Sequence, residues 1–425
     1  MSSMNKTEYQ AELFTNRLRK RYKELRKWAR KNRISCYRLY DRDIPEVPVS
    51  LDLYEFLPDE IDSPIEAARF MSDQNSRLSA NDPTVETGIK ERTYAVLYLY
   101  ERPYEKDEAE EEAWLDLMAK SAAEVLGIPE EHIVKKSRGH KSHKGSQYEK
   151  NTLKDPRVKP EDDKSKAAIV RLDKSKAVIV GLDKSKAVIV GLDPTIYASP
   201  ITGTIQEQGQ LFRVDLTTYL DTGLFFDHRS LRATVRDTCS KKRVLNLFCY
   251  TSSFSVYAAQ GNASFVESVD LSNTYLDWSK DNMKLNGFSD KNRYIYTKAD
   301  CMRFLQEKAV ASKAGNLKEE ELYDLIILDP PTFSNSKSTS DILDINRDWP
   351  QLVKDCLNIL SPQGTLYFST NSERIKFDIQ KLPPKTAAGK EFTCKDITAQ
   401  TIPLDFEGKK PHKVWEFKLV SKTTF

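Results

Sequence analysis

The sequence predicts an α/β protein: a mostly parallel sheet covered by helices with an antiparallel edge strand, preceded by a basic helix and a small α+β domain. Three observations carry this. From Thr222 onward, strand-like and helix-like stretches alternate regularly, which implies helical crossovers and a parallel sheet. Within that alternation, Leu325, Ile326, Ile327 and Leu328 form a short continuous apolar run, the pattern of a strand buried on both faces. Before Thr222 the texture differs: a helix dense in Lys and Arg, then short β-like segments.

At 425 residues the chain has room for two or three domains and a full core. The net charge is only +3, but residues 1–33 hold eleven Lys and Arg against three Glu, and residues 133–159 hold nine against two acidic residues. Basic patches of this kind suit phosphates, with solvated helix faces as the alternative. Cys36, Cys239, Cys249, Cys301, Cys356 and Cys394 lie far apart with no CxxC pair. That argues against a metal site or a disulfide framework and fits a reducing, cytoplasmic setting. No apolar run approaches the roughly 18 residues of a membrane span.

In chain order, Thr7 with Gln10 reads as a capping box, and Phe14, Leu18, Tyr22, Leu25 and Trp28 with Ala29 form an apolar stripe at helical spacing. Arg17, Arg19, Lys20, Arg21 and Lys27 on the other faces are candidates for RNA contact; a solvated or partner-binding helix is equally consistent. Ile34–Tyr40 and Val47–Tyr54 read as a hairpin and Tyr94–Tyr100 as a third strand. Residues 105–126 read as a helix ended by Gly127, and Ile133–Lys136 as a strand. Lys135 and Lys136 in that strand and Arg138, which opens the basic run RGHKSHKGSQYEK, join the RNA-contact candidates; His140 and His143 are too few for a metal and read as loop surface.

Residues 163–192 repeat with period ten, as DKSKAAIVRL, DKSKAVIVGL and DKSKAVIVGL. Each unit resembles a nucleotide-binding strand, yet no room is left for a helix, and three short units are too little for a solenoid. The preferred reading is an insertion spanning roughly 151–200, either adding strands or forming an aggregation-prone loop. Gly209–Leu216 resumes as a strand. Beyond Thr222 the strands are Arg243–Cys249, Ser264–Asp270, Arg293–Lys298, Tyr323–Asp329 and Gly364–Thr370, with helices near 253–260, 273–286, 301–313 and 347–360. Lys413–Val420 alternates as an antiparallel edge strand. The expected division is a basic helix (1–33), a small α+β domain (34–220) and an α/β domain (221–425).

Polar groups close successive strands: NLFCYTSS ends the first, Asp270 the second, Ala299-Asp300 follows the third, and Asp329-Pro330-Pro331 ends the fourth. Ligands of α/β sheets bind at that edge, and an acid after the second strand is the usual hook for ribose hydroxyls of an adenosine-bearing cofactor. Asp300 could read the adenine amino group. Each Asp alone is also a helix cap. Pro330 and Pro331 stiffen the loop and free nearby carbonyls as acceptors, which with Phe333 suits a flat polar ring such as a nucleobase.

The stretches Tyr219–Arg229 (YLDTGLFFDHR), Leu245–Thr251 (LNLFCYT), Val269–Trp278 (VDLSNTYLDW), Asn282–Gly287 (NMKLNG), Ala299–Cys301, Leu328–Lys337 (LDPPTFSNSK) and Asp344–Asp348 (DINRD) resemble one family. It is the RlmK-type guanine-N7 23S rRNA methyltransferases, found alone or as the second half of the fused RlmKL enzymes, within the Rossmann-like class I S-adenosylmethionine (SAM) dependent methyltransferases. The N-terminal NRLRKRYKELRKWARKNRISCYRLYDRDIPE and SQYEK also match, so the resemblance covers nearly everything except the insertion. It implies an RNA-binding α/β domain before the catalytic one, with 23S rRNA as substrate and a separate guanine-N2 methylase as a further partner.

Carried over by residue, the resemblance implies that Asp227, His228 and Arg229 hold the methionine end of the cofactor, with a structural hydrogen bond the alternative for His228. Asn246 and Phe248 to Ser253, including Tyr250 and Thr251, would pass around it. Asp270, Leu271 and Ser272 would meet the ribose and Asp300 with Cys301 the adenine. Asp329, Pro330, Pro331, Thr332 and Phe333 would line the methyl-transfer site. Where the family has Thr-Gly, this chain has Thr251-Ser252-Ser253; glycine permits positive φ and close approach, so Ser252 is expected to strain the turn or loosen cofactor affinity.

Guanine N7 offers a lone pair at neutral pH, so positioning for in-line attack supplies most of the acceleration. Cytosine-C5 methylation needs a thiolate after the fifth strand, where this chain has Phe368-Ser369-Thr370-Asn371. Amine methylation usually places an aromatic directly after the prolines, where this chain has Thr332. A catalytically silent RNA-binding or ribosome-assembly factor remains the reading of a different class. A dinucleotide-dependent oxidoreductase lacks its GxGxxG fingerprint.

Overall fold

The computed structural model describes residues 5–100, 107–138, 199–334 and 342–420. The tandem repeat and most of the basic run before it lie outside the described residues, as do SQYEK and the end of LDPPTFSNSK.

Helix α1 (Lys6–Lys31) has its cap two residues before the expected one. Asn5 is its N-cap; Asn5 Oδ1 accepts from Thr7 N–H at 3.3 Å, and Glu8 takes the Asn5 N–H at 3.2 Å. Its stripe of Phe14, Leu18, Leu25 and Ala29 is buried as expected. The first sheet contains β1 (Cys36–Asp41), β2 (Val49–Glu55), β3 (Thr93–Tyr100) and β4 (Ile133–Arg138) in that order, antiparallel except for β3 with β4. Between β2 and β3 run α2 (Pro64–Ser79) and α3 (Pro83–Glu91), which the sequence reading left unassigned. Ser63-Pro64 and Asp82-Pro83 are their caps and first turns, a start signal present in the chain. Helix α4 (Glu108–Leu126) ends at Gly127 in the left-handed conformation and packs on α1, where Trp114 Nε1 donates to Gln10 at 2.8 Å.

A hairpin of β5 (Thr202–Glu207) and β6 (Gln210–Asp215) turns through Gln208 and Gly209, both at positive φ, as a two-residue turn of this kind requires. It joins the two halves. Ser35 N–H and Leu57 N–H donate to Gln206 and Thr204 carbonyls on one side, while Asn282 and Asn286 accept from Arg213 and Leu211 N–H on the other.

The second sheet follows α5 (Arg229–Thr238) and runs through β7 (Arg243–Leu247), α6 (Ser253–Gln260), β8 (Phe265–Asp270), α7 (Asn273–Leu285), β9 (Tyr294–Lys298), α8 (Cys301–Lys313) and β10 (Tyr323–Leu328). A two-residue ladder of β11 (Phe333–Ser334) with β12 (Leu343–Asp344) leads to α9 (Ile345–Asn358), β13 (Leu360–Thr370), β14 (Phe392–Asp396), α10 (Thr398–Thr401) and β15 (Lys413–Leu419). The sheet order is β14-β15-β13-β10-β7-β8-β9, parallel except that β15 runs antiparallel to β13 and β14. Strand order reverses between β7 and β10, so ligands are expected at the carboxyl ends around that switch point. Leu325 to Leu328 are all fully buried at the centre of the sheet.

Beneath the seam lies a buried ionic hub. Arg229 and Arg232 share Glu207, Arg229 also pairs with Asp405 at 2.7 Å, and all four side chains are 0–1 % exposed. Arg229 further donates to the Cys36 carbonyl, tying the first sheet, the hairpin and the C-terminal segment to one guanidinium. No helix among the described residues is long and apolar enough to cross a membrane.

Candidate active site at the strand ends

Beyond Leu328 the chain leaves the sheet at Asp329. Pro330 is buried and Phe333 stands 54 % exposed, while the Thr332 hydroxyl donates to Asn371 Oδ1 at 2.6 Å across the edge. Asp329 Oδ1 lies 3.4 Å from His228 Nε2, which is 2.7 Å from the Ser369 hydroxyl at the end of β13. On the other side of the ring, His228 Nδ1 is 3.3 Å from Asp227 Oδ2, and that oxygen also meets His412 Nδ1 at 3.0 Å. The two imidazoles pack with centroids 4.5 Å apart and planes tilted by 30°, and His412 Nε2 is 3.0 Å from Thr401 Oγ1.

Charge follows from this packing. Burial opposes the imidazolium of His228, but Asp329 and then Asp227 outweigh it and hold its pKa up at about 10. Burial pushes Asp329 up, yet the charge of His228 and hydrogen bonds from His228 and Ser369 prevail and keep it below the usual carboxylate range. Asp227 is held well below that range by both histidines against its own burial. His412 is lowered by burial and by the charge on His228. The cluster therefore carries two carboxylates and one imidazolium at neutral pH.

The turn from β7 into α6 forms the adjacent wall. Phe248, Tyr250 and Ser252 alternate at φ of 54°, 51° and 60°, a rare run of left-handed non-glycine residues. It is over-determined by its neighbours. Tyr250 N–H donates to Asp270 Oδ2 at 3.0 Å, Ser252 N–H to the Cys249 carbonyl at 2.8 Å, and the Thr251 hydroxyl to the Gly223 carbonyl at 2.6 Å. Ser252 adopts the expected strained conformation, but its buried hydroxyl bonds Ser279 at 2.7 Å, a contact a glycine lacks. Asp270 takes Ser272 N–H on its other oxygen at 2.9 Å; burial pushes its pKa up, and backbone donors from Ser272 and Tyr250 hold it back. Asp300 caps α8 through Met302 and Arg303 N–H, with Cys301 following it.

Asp227, Phe248, Tyr250, Ser253, Leu271, Ser272, Asp300, Asp329, Pro331 and Thr332 are partly exposed along this one edge. Three expected direct contacts are corrected. Arg229 is sealed in the ionic hub, and Asn246, 1 % exposed, gives its amide to Ser255 beneath the turn. The buried Cys301 Sγ accepts from Phe248 N–H at 3.2 Å, so that side chain braces the turn. Sequence reasoning missed His412 and Thr401, and it valued Ser369 only for not being cysteine; a histidine just before the terminal strand was the available signal.

Of the RNA-contact candidates, Arg19, Lys20 and Lys27 are exposed on α1. Arg17 pairs with Asp43 at 2.7 Å and Arg21 with Glu24 at 3.7 Å, while Lys135 is bonded to Asp116. Lys136 is a correction: only 8 % exposed, it donates to the Tyr219 and Leu220 carbonyls and cannot reach a phosphate. The Arg138 side chain lies outside the described residues. A groove of about 850 Å³ lined by Arg33, Arg69, Gln210 and Phe288 shares none of the strand-end residues.

Known proteins resemble this chain in sequence and in fold. The S-adenosylmethionine-dependent methyltransferase family matches residues 197–389. Ribosomal RNA large subunit methyltransferase K of Neisseria meningitidis is 35 % identical over 406 residues, covering 95 % of this chain and 86 % of that protein. Ribosomal RNA large subunit methyltransferase K/L of Magnetococcus marinus is 32 % identical over 95 % of this chain, which spans only 42 % of that longer protein. The solved structure of SMU.776 complexed with SAH has a TM-score of 0.58 at 18 % identity, covering 98 % of this chain and 83 % of its own, and supports the fold. The cofactor is S-adenosyl-L-methionine, and the chain belongs to the ribosomal RNA large subunit methyltransferase K family.

Proposed function

We propose that this chain methylates N7 of a guanine in 23S ribosomal RNA by in-line displacement, without a covalent enzyme–base intermediate. The observation that carries the reading is Asp329, kept ionised by His228 at the end of the central strand and flanked by the exposed ring of Phe333. Bound SAM supplies an electrophilic methyl on a sulfonium. In this reading Asp270 binds the ribose hydroxyls, Asp300 faces the adenine, and Asp227 with the Phe248 to Ser253 turn surrounds the methionine end. Asp329 to Phe333 line the acceptor.

Guanine N7 needs no proton removed, so the chain's task is orientation and charge. Phe333 stacks on the base, and the Asp329 carboxylate stabilises the positive charge that grows on the ring as N7 is alkylated. Thiolate catalysis finds no support. Cys249 and Cys356 are buried with thiols pushed up by desolvation, and Phe368 to Asn371 hold hydroxyls and an amide. The basic helix (1–33) and the small α+β domain (34–220) that holds the first sheet serve to bind RNA, ahead of the catalytic domain (221–425). A base inside folded RNA must be displayed or unstacked, and Arg19, Lys20 and Lys27 supply the backbone grip.

The test is transfer of labelled methyl from SAM to 23S rRNA from a strain lacking the N7 methylase, with nucleoside identification. A 7-methylguanosine product lost in Asp329→Ala supports the reading. RNA binding with no product overturns it in favour of a silent assembly factor.

A further inference from the structure

The His228 ring lies between two carboxylates, Nδ1 3.3 Å from Asp227 and Nε2 3.4 Å from Asp329, while Nε2 bonds the Ser369 hydroxyl at 2.7 Å. The His228 cation keeps two neighbouring, largely buried carboxylates ionised together; without it one would take up a proton. Nothing on the His228 side fixes Asp227, because the 3.3 Å approach of Nδ1 is not aligned as a hydrogen bond. What fixes Asp227 is His412. Its Nδ1 lies 3.0 Å from Asp227 Oδ2, and its Nε2 is held at 3.0 Å by Thr401, whose hydroxyl also reaches the Thr398 carbonyl at 2.8 Å. His412 enters immediately before β15, beyond every stretch that carries the strand-end motifs.

We infer that His412 is a positioning residue for methyl transfer: it holds the Asp227 carboxylate at 3.0 Å and packs its own ring 4.5 Å from that of His228, so it keeps the His228 ring beside both carboxylates and with it the orientation of Asp329. The inference rests on the proposed role of Asp329 and names what holds that group in place. His412 is 1 % exposed and 3.0 Å from Asp227, so it touches neither base nor cofactor and acts only through others.

The roles of the two nitrogens give the test. An asparagine amide occupies the place of Nδ1, whereas a glutamine amide reaches toward that of Nε2. His412→Phe should lower kcat for methyl transfer to rRNA about 10- to 100-fold, as expected for a displaced reacting geometry, and raise KM for SAM because Asp227 lies at its methionine end. His412→Asn should recover kcat to within about threefold of the natural chain, and His412→Gln should resemble His412→Phe. If His412→Phe does not fold, the Asn and Gln pair still decides. Equal kcat in those two, or unchanged kcat in His412→Phe, overturns the inference. If the natural chain makes no 7-methylguanosine, the functional reading fails first; if it does and the His412 series does not follow this order, only the inference fails.

Discussion

Replacing Glu207 with glutamine tests whether the hub beneath the site holds the two halves together. Glu207 is fully buried, takes Arg229 Nε at 2.8 Å and Arg232 Nε and Nη2 at 2.9 and 3.0 Å, and accepts the Tyr257 hydroxyl at 3.0 Å. Glutamine keeps the volume and removes the charge. Arg229 retains Asp405, but Arg232 is left with no carboxylate among the described residues. An uncompensated buried charge costs about 3–5 kcal/mol, far above the roughly 0–1 kcal/mol of an exposed pair. In urea, at a slope near 3 kcal/mol per M, the midpoint should fall by about 1–2 M. Arg232→Met removes the orphaned cation, so the double variant should recover about 2 kcal/mol relative to additivity. A loss below about 1 kcal/mol, or strict additivity, would refute the hub. Because α5 begins at Arg229, directly after His228, the same variant should also weaken SAM binding.

Three further outcomes follow from the site and its flanks. Ser252→Gly relieves left-handed strain of about 1 kcal/mol but forfeits a buried hydrogen bond worth about as much, so stability should stay within about 1 kcal/mol; Ser252→Val loses both ways and should lower the melting temperature and SAM affinity by calorimetry. Since His228 is raised from the ordinary histidine value to about 10, its contribution is complete below about pH 6.5 and is lost as pH rises to 10. Urea unfolding across pH 6.5 to 10 should therefore show falling stability that His228→Asn flattens; an unchanged slope would place the proton elsewhere. Replacing Lys20 or Lys27 with alanine should reduce the salt dependence of RNA binding by nearly one phosphate contact each, whereas Lys136→Met should leave the slope unchanged and lower stability.

Most of the second sheet was legible because local pattern and tertiary role coincide there. Central strands such as Leu325–Leu328 are apolar on both faces, and helices 253–260 and 301–313 begin and end as their spacing indicates. What escaped was set by partners distant in sequence. β14 pairs its burial-poor residues only against β15, and α5 reads as charged because Arg229 and Arg232 point into the protein toward Glu207 and Asp405. The same non-locality misplaced part of the site. Asp227, His228 and Arg229 are consecutive, yet the single turn of 3-10 helix at Phe226–His228 sends His228 to Asp329 and Arg229 into the hub. His412 and Ser369 join them only through the pairing of β13 with β15, a register the sequence does not spell out.

The most direct measurement is the identity of the methylated nucleoside formed from SAM and 23S rRNA that lacks N7 methylation, by mass spectrometry, with Asp329→Ala in parallel. The account predicts 7-methylguanosine from the natural chain and none from the variant at unchanged RNA affinity. N2-methylguanosine or 5-methylcytidine from the natural chain, or 7-methylguanosine undiminished in the variant, would contradict it.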